Sequence, residues 1–278
     1  MRGWWQDLTD LVLPTECAGC GAPRTVLCPR CRGALGGAGP RRVRPVPEPA
    51  GLPVVRAAAP YAGEVRELLL AHKERGALAL TGALGAALAG VVRAGLRAGG
   101  GPVLLVPVPS ARWAVRARGH DPVRRMALAA AGRLRRAGTS ARVAAVLRQR
   151  RAVADQADLD ARQRLDNLAG ALEVTAGGAA LLAGGRVVLV DDLITTGASL
   201  AEAARALREA SLSRSGVRSA VYTAATREGR GERRSGARPE REMWVHGAPE
   251  MAAPNAAGET LQAAVIAAPR DSFEINRN

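Results

Sequence analysis

The chain has 278 residues, 47% of them hydrophobic and only 3% aromatic, so its core must be built from Val, Leu and Ala. That composition suits helices packed on a parallel sheet, and the length leaves room for one main domain and one small module. The net charge of +15 is uneven: residues 1–151 hold 25 basic and 8 acidic side chains, a field that either favours polyanions or reflects an arginine-rich composition alone.

In chain order, the start MRGWWQDLTDLVLP carries acids where a signal peptide needs an uninterrupted apolar run, so the protein is expected in the cytoplasm. Next come Cys17, Cys20, Cys28 and Cys31, two C-x-x-C pairs with glycine and proline supplying the turns. Each pair directs two thiolates at one metal, and four thiolates make a closed tetrahedral structural Zn²⁺ site. A disulfide framework is the alternative, which a cytoplasmic setting disfavours. Residues 14–50 offer little apolar surface, and a zinc contribution of about 10–16 kcal/mol would organise what packing cannot.

A Gly- and Pro-rich stretch after Cys31 reads as a linker. Beyond it the pattern predicts a strand over 53–60, an amphipathic helix over 64–73 and a buried helix over 77–97. The run at 77–92 is short and made of Ala and Gly, which argues for a core helix and against membrane insertion. A strand over 102–109, a helix over 122–137, strands over 141–147 and 186–190, a helix over 200–210 and a strand over 217–226 follow. This alternation implies a doubly wound α/β fold with a mostly parallel sheet flanked by helices, plus the small zinc-binding module. The expected organisation is the module at 1–36, a linker at 37–52, the α/β domain at 53–227 and a disordered tail at 228–278.

The stretch VVLVDDLITTGAS, residues 187–199, carries the most chemistry. In an open parallel sheet the ligand lies beyond the carboxyl ends of the strands, and Val190 reads as the last residue before that edge. Asp191 and Asp192 would then accept from two neighbouring ribose hydroxyls. Thr195, Thr196, Gly197, Ala198 and Ser199 lead into a helix, where amides, hydroxyls and the positive helix end form a phosphate pocket, with Gly197 letting the backbone approach closely. Acids first and phosphate loop second specify a ribose 5-phosphate group. Lys73 is the chain's only lysine, a point charge where drift has installed arginine elsewhere.

This stretch resembles the phosphoribosyl diphosphate binding motif of type I phosphoribosyltransferases. Roughly residues 5–226 resemble the ComF family of competence-related and gluconate-utilisation-associated proteins. The likeness rests on the double C-x-x-C, YAGEVRELLLAHK with Lys73, VPVPSARWAVRARGHD, RAVADQADLDARQRLDN and the Asp-Asp loop. It implies that Asp191 and Asp192 hold the ribose hydroxyls as the catalytic pair, that Thr195–Ser199 take the 5-phosphate, and that Lys73, Pro109, Ser110 and Arg118 lie on the diphosphate side. Gln156, Arg164 and Asn167 match family positions that line or cover the site. Mg²⁺ would accompany phosphoribosyl diphosphate. The family's R-G-F-N-Q is here Arg118, Gly119, His120, Asp121 and Pro122, with His120 read as a structural replacement more than a general base. Two main functional readings follow: an enzyme passing phosphoribosyl to an acceptor that the sequence does not name, or a non-catalytic, ligand-sensing accessory protein in single-stranded DNA uptake or processing, partnered by DNA or DNA-processing proteins. A zinc-ribbon nucleic-acid protein using the α/β domain as scaffold is a third reading, which the intact acid pair and loop oppose. Trp4, Trp5 and Trp113 are the candidate base-stacking residues. No oligomeric state is readable.

Overall fold

A computed structural model of the protein describes residues 16–36, 39–96, 101–151, 153, 160–225 and 261–274. Trp4, Trp5 and Gln156 lie outside them. The helices are α1 (Pro29–Ala34), α2 (Gly63–Lys73), α3 (Thr81–Gly95), α4 (Arg112–Arg118), α5 (Pro122–Arg136), α6 (Ala161–Leu168), α7 (Gly178–Leu182) and α8 (Ala198–Ala225). The strands are β1 (Arg41–Val43), β2 (Val54–Pro60), β3 (Val103–Pro107), β4 (Ala141–Val143), β5 (Leu147–Gln149), β6 (Leu172–Val174), β7 (Arg186–Leu193) and β8 (Gln262–Ala268).

Six strands form one sheet in the order β1-β2-β8-β7-β3-β4, parallel except for β1, while β5 and β6 make a separate antiparallel ribbon. The mostly parallel α/β architecture expected from the hydrophobic pattern is the one observed. Side chains alternate across it. Leu105, Val188, Val190 and Ile266 join one core layer with α2, α3, α5 and the cysteines. Leu104, Val106, Leu189 and Val265 join the other, beneath Leu200, Ala203, Ala204 and Leu207 of α8. Burial on both faces explains why β3 and the Val187–Val190 part of β7 are unbroken aliphatic runs.

The Ala- and Gly-rich segment Leu78–Gly95 is long and apolar enough to cross a membrane, yet it packs on β2, β8 and α5 as a core helix. Its small residues permit close approach: a Cβ on Gly85 would lie 2.4 Å from the Ala129 Cβ.

Four expectations change. Residues 217–225 of the strand expected at 217–226 are the continuation of α8, because the segment contains no proline and Gly216 alone does not stop a long helix. The predicted strand at 141–147 is two strands in different sheets. The expected linker holds β1 as an edge strand of the sheet, and its Pro45, Pro49 and Leu52 pack behind the loop at Gly197. The tail expected to be disordered from 228 contains β8, which occupies the interior of the sheet between β2 and β7. Its sequence QAAVIAA is short and small, but two parallel neighbours satisfy its backbone and bury Val265 and Ile266 completely.

A chain ending at residue 260 would leave β2 and β7 with facing unpaired edges. It is expected to lose its cooperative thermal transition and to be recovered as aggregate; a soluble truncated chain with an unchanged circular dichroism spectrum would contradict the placement of β8.

Candidate functional site

β7 does not end at Val190. Ladder pairing runs on to Leu193, with Asp191 opposite Val265 and Leu193 opposite Ala267, so both acids belong to the strand. Alternation then sends Asp192 to the face shared by Val188 and Val190, toward α2, and Asp191 to the other. Both carboxylates are buried, at 9% and 6% exposure, and both line a cleft of about 570 Å³.

The same cleft is lined by Lys73 at the end of α2, Pro109 and Ser110 after β3, Arg118 at the end of α4, and Thr195 and Ser199. Eight of the residues singled out from sequence therefore surround one space. Thr196, Gly197 and Ala198 do not line it. Thr196 accepts a 3.4 Å hydrogen bond from the Ala198 amide, and Gly197 turns at φ +79°, where a Cβ would lie 3.0 Å from Leu52 and 3.2 Å from Pro49. Glycine there serves the left-handed turn and the packing behind it, in place of the close ligand approach expected.

Lys73 is not free to greet a phosphate. Its Nζ lies 2.8 Å from Asp192 Oδ2. The Asp192 charge raises the Lys73 pKa against the opposing effect of burial. Burial, and then the neighbouring Asp192 charge, hold the Asp191 carboxyl well above the usual range, although its Oδ1 accepts from the Asp192 amide at 2.9 Å. Arg118 makes a 3.4 Å ion pair with Glu74 through Nε, while its buried Nη1 has no hydrogen-bond partner among the described residues. A buried guanidinium nitrogen left this way suits an anion in the cleft.

His120 sits between two backbone carbonyls, with Nδ1 3.0 Å from that of Arg118 and Nε2 3.4 Å from that of His72, so its ring lies between the end of α2 and the turn after α4. His72 is itself buried, 3.0 Å from Thr81 Oγ1, and burial followed by the nearby His120 lowers its pKa to about 4.

A second wall comes from the ribbon and α6, through Gln149, Val153, Leu168 and Leu172. Arg164 and Asn167 stand on α6 without lining the cleft, and the Asn167 carbonyl accepts from Arg151 at 2.8 Å. Sequence reading missed the anchor of this wall: buried Glu202 of α8 accepts from the Leu172 amide, and Arg205 donates both to Glu202 and to the Leu172 carbonyl, all within 2.8 Å. The i, i+3 Glu–Arg pair was the available signal. Trp113, 57% exposed, lies at the cleft's rim.

The four cysteines form a second candidate site. Their sulfurs lie within 4.8 Å of one another, and the Cys20 and Cys28 sulfurs are 3.6 Å apart, close to the spacing of about 3.8 Å that a tetrahedron with 2.3 Å bonds requires. Burial opposes ionisation of Cys17, but amide donors led by Cys28 outweigh it and bring its pKa down to about 6. Burial and the neighbouring thiols push Cys31 up. A divalent metal such as zinc would hold all four as thiolates, and the donor set fits it.

Two outcomes follow. In the folded chain Asp191 either keeps a proton or buries a charge, whereas unfolded it is freely ionised above about pH 4. Asp191→Asn is therefore expected to raise the melting temperature at pH 7 by about 2–4 °C, for about 1 kcal/mol, with the gain vanishing below pH 4, read by calorimetry. His72, neutral in the fold, contributes stability that is full above about pH 6.5 and lost as pH falls toward 4, so His72→Gln is expected to flatten the melting temperature across that window.

Residues 139–249 match the family model of the phosphoribosyl transferase domain. No curated protein matches the chain. The match begins just before β4 and takes in all of β7, the turn and α8, while Lys73, Arg118 and the cysteines lie outside it. The part of the chain that carries Asp191 to Ser199 is thus similar to the phosphoribosyl transferase domain.

Proposed function

We propose that this protein is a ComF-type phosphoribosyltransferase that binds phosphoribosyl diphosphate, or a related ribose 5-phosphate ligand, together with Mg²⁺, and transfers the phosphoribosyl group to an acceptor. The observation that carries this reading is the gathering of Asp191, Asp192, Thr195 and Ser199 with Lys73 and Arg118 around one cleft at the carboxyl edge of the sheet.

Asp191 and Asp192 would accept from the ribose hydroxyls, and Thr195 and Ser199 would donate to the 5-phosphate at the start of α8. The unpartnered Arg118 Nη1 and the backbone turn at Pro109–Ala111 supply donors for the diphosphate. Leu168 and Leu172 would exclude water from the anomeric carbon, where positive charge grows as diphosphate leaves. The two carboxylates are hard oxygen donors that suit Mg²⁺ alongside ligand oxygens, and the ion would neutralise charge on the leaving group. The protein's own part is positioning and electrostatics.

The test is thermal shift with phosphoribosyl diphosphate, with and without Mg²⁺, in the wild type and in Asp191→Asn/Asp192→Asn. Saturating ligand is expected to raise the wild-type melting temperature by about 5 °C or more, only with Mg²⁺, and to leave the double variant unmoved. Equal shifts in both proteins would overturn the site. Binding without release of diphosphate in the presence of candidate acceptors would favour a ligand sensor over an enzyme.

A further inference from the structure

The cysteine module lies against the helix that delivers Lys73. The turn at Gly19 is so close to α2 that a Cβ there would lie 2.9 Å from the Cys31 sulfur and 3.2 Å from Leu68 Cγ. Leu68 is fully buried in one cluster with Cys17, Leu27, Cys31 and Leu35, and Arg30 reaches Glu64 at the start of α2 at 3.0 Å. From Leu68 to Lys73 the helix rises only about 7.5 Å.

α2 needs that support. It has eleven residues, and its N-cap Ala62 offers no side-chain hydrogen bond. A helix of this length without a cap is marginal in isolation, so its position is set by what it packs against. The module, in turn, buries few large apolar side chains of its own; its centre is three buried cysteines and the exposed Cys20, and a shared metal ion is the cross-link that would hold these four together.

We infer that the metal-loaded cysteine module is a positioning part of the cleft: through Leu68 and α2 it sets Lys73 against Asp192. Metal loss releases α2 from the module and Lys73 from the acid pair, while the sheet beneath keeps its fold. The bearing of this coupling on ligand binding rests on the function proposed above; the coupling itself does not.

Because Lys73 is the chain's only lysine, its reactivity reads the coupling directly. Full-length zinc-loaded protein, zinc-stripped protein and protein with zinc restored are acetylated with an amine-directed reagent, and the rate at Lys73 is followed by peptide mass, apart from the terminal amine. Amide exchange of Val103–Pro107 reports whether the sheet is intact. Stripping zinc is expected to raise the Lys73 rate at least about threefold with β3 still protected, since an ammonium freed from its carboxylate spends more time as the reactive amine. Restoring zinc is expected to reverse the change. Leu68→Ala, which leaves all four cysteines in place, is expected to raise the rate with zinc still bound, and this variant decides the matter if stripping zinc exposes β3. An unchanged Lys73 rate in Leu68→Ala, or in zinc-stripped protein with β3 protected, overturns the inference. No phosphoribosyl ligand enters the experiment, so a failure of the ligand assignment would show separately.

Discussion

Two carboxylates buried side by side at the end of a central strand are the constraint around which this protein is arranged. Adjacent charges in a region of low dielectric repel each other and lose their hydration, a cost of several kcal/mol per ion that only a nearby cation and well-placed donors can offset. The Lys73 ammonium does this for Asp192, and the Asp192 amide partly does so for Asp191. Almost everything else around the cleft follows from keeping that cation in place. α2 carries it, His120 packs between the end of α2 and the turn after α4, and the cysteine module packs against the helix through Leu68.

The cleft also has an opposite wall held by a different device. The Glu202–Arg205 pair of α8 grips both backbone groups of Leu172, so the ribbon hangs from the same helix that starts at the Thr-Thr-Gly turn. One helix therefore presents the Ser199 hydroxyl at its first turn and anchors the apolar wall about one to two turns later. The loop between β7 and α8 is braced from behind by Leu52, Pro49 and Pro45, a segment that composition alone marks as a linker. Proline rigidity is useful there because the segment acts as a buttress that must not yield.

Much of this was legible in the sequence because it depends on local pattern. β3 and the Val187–Val190 part of β7 are continuous aliphatic runs that only a sheet buried on both faces accommodates, and Asp-Asp followed by Thr-Thr-Gly marks the end region of a strand and the turn after it, although the strand itself runs on to Leu193. The cysteine spacing stated its own geometry. The rest depends on which elements meet across the fold. Nothing in QAAVIAA says that it lies between β2 and β7, since its small residues matter only once two neighbours are placed. Nothing in the isolated sequence of Lys73 says that it pairs with Asp192; the alternation of β7 and the direction of α2 decide that together. The strand-like pattern after residue 216 was overruled by a helix already under way.

The place of β8 bears on how the protein is made. A strand that comes after nearly all others in synthesis lies in the middle of the sheet, so β2 and β7 cannot be joined until the ribosome has delivered residue 268. Through most of translation the nascent sheet is two halves with open, aliphatic edges, and its closing contact is among the most distant in sequence that the chain makes. The middle of the sheet is therefore the part completed last in synthesis, and any form made before residue 268 carries two unpaired strand edges.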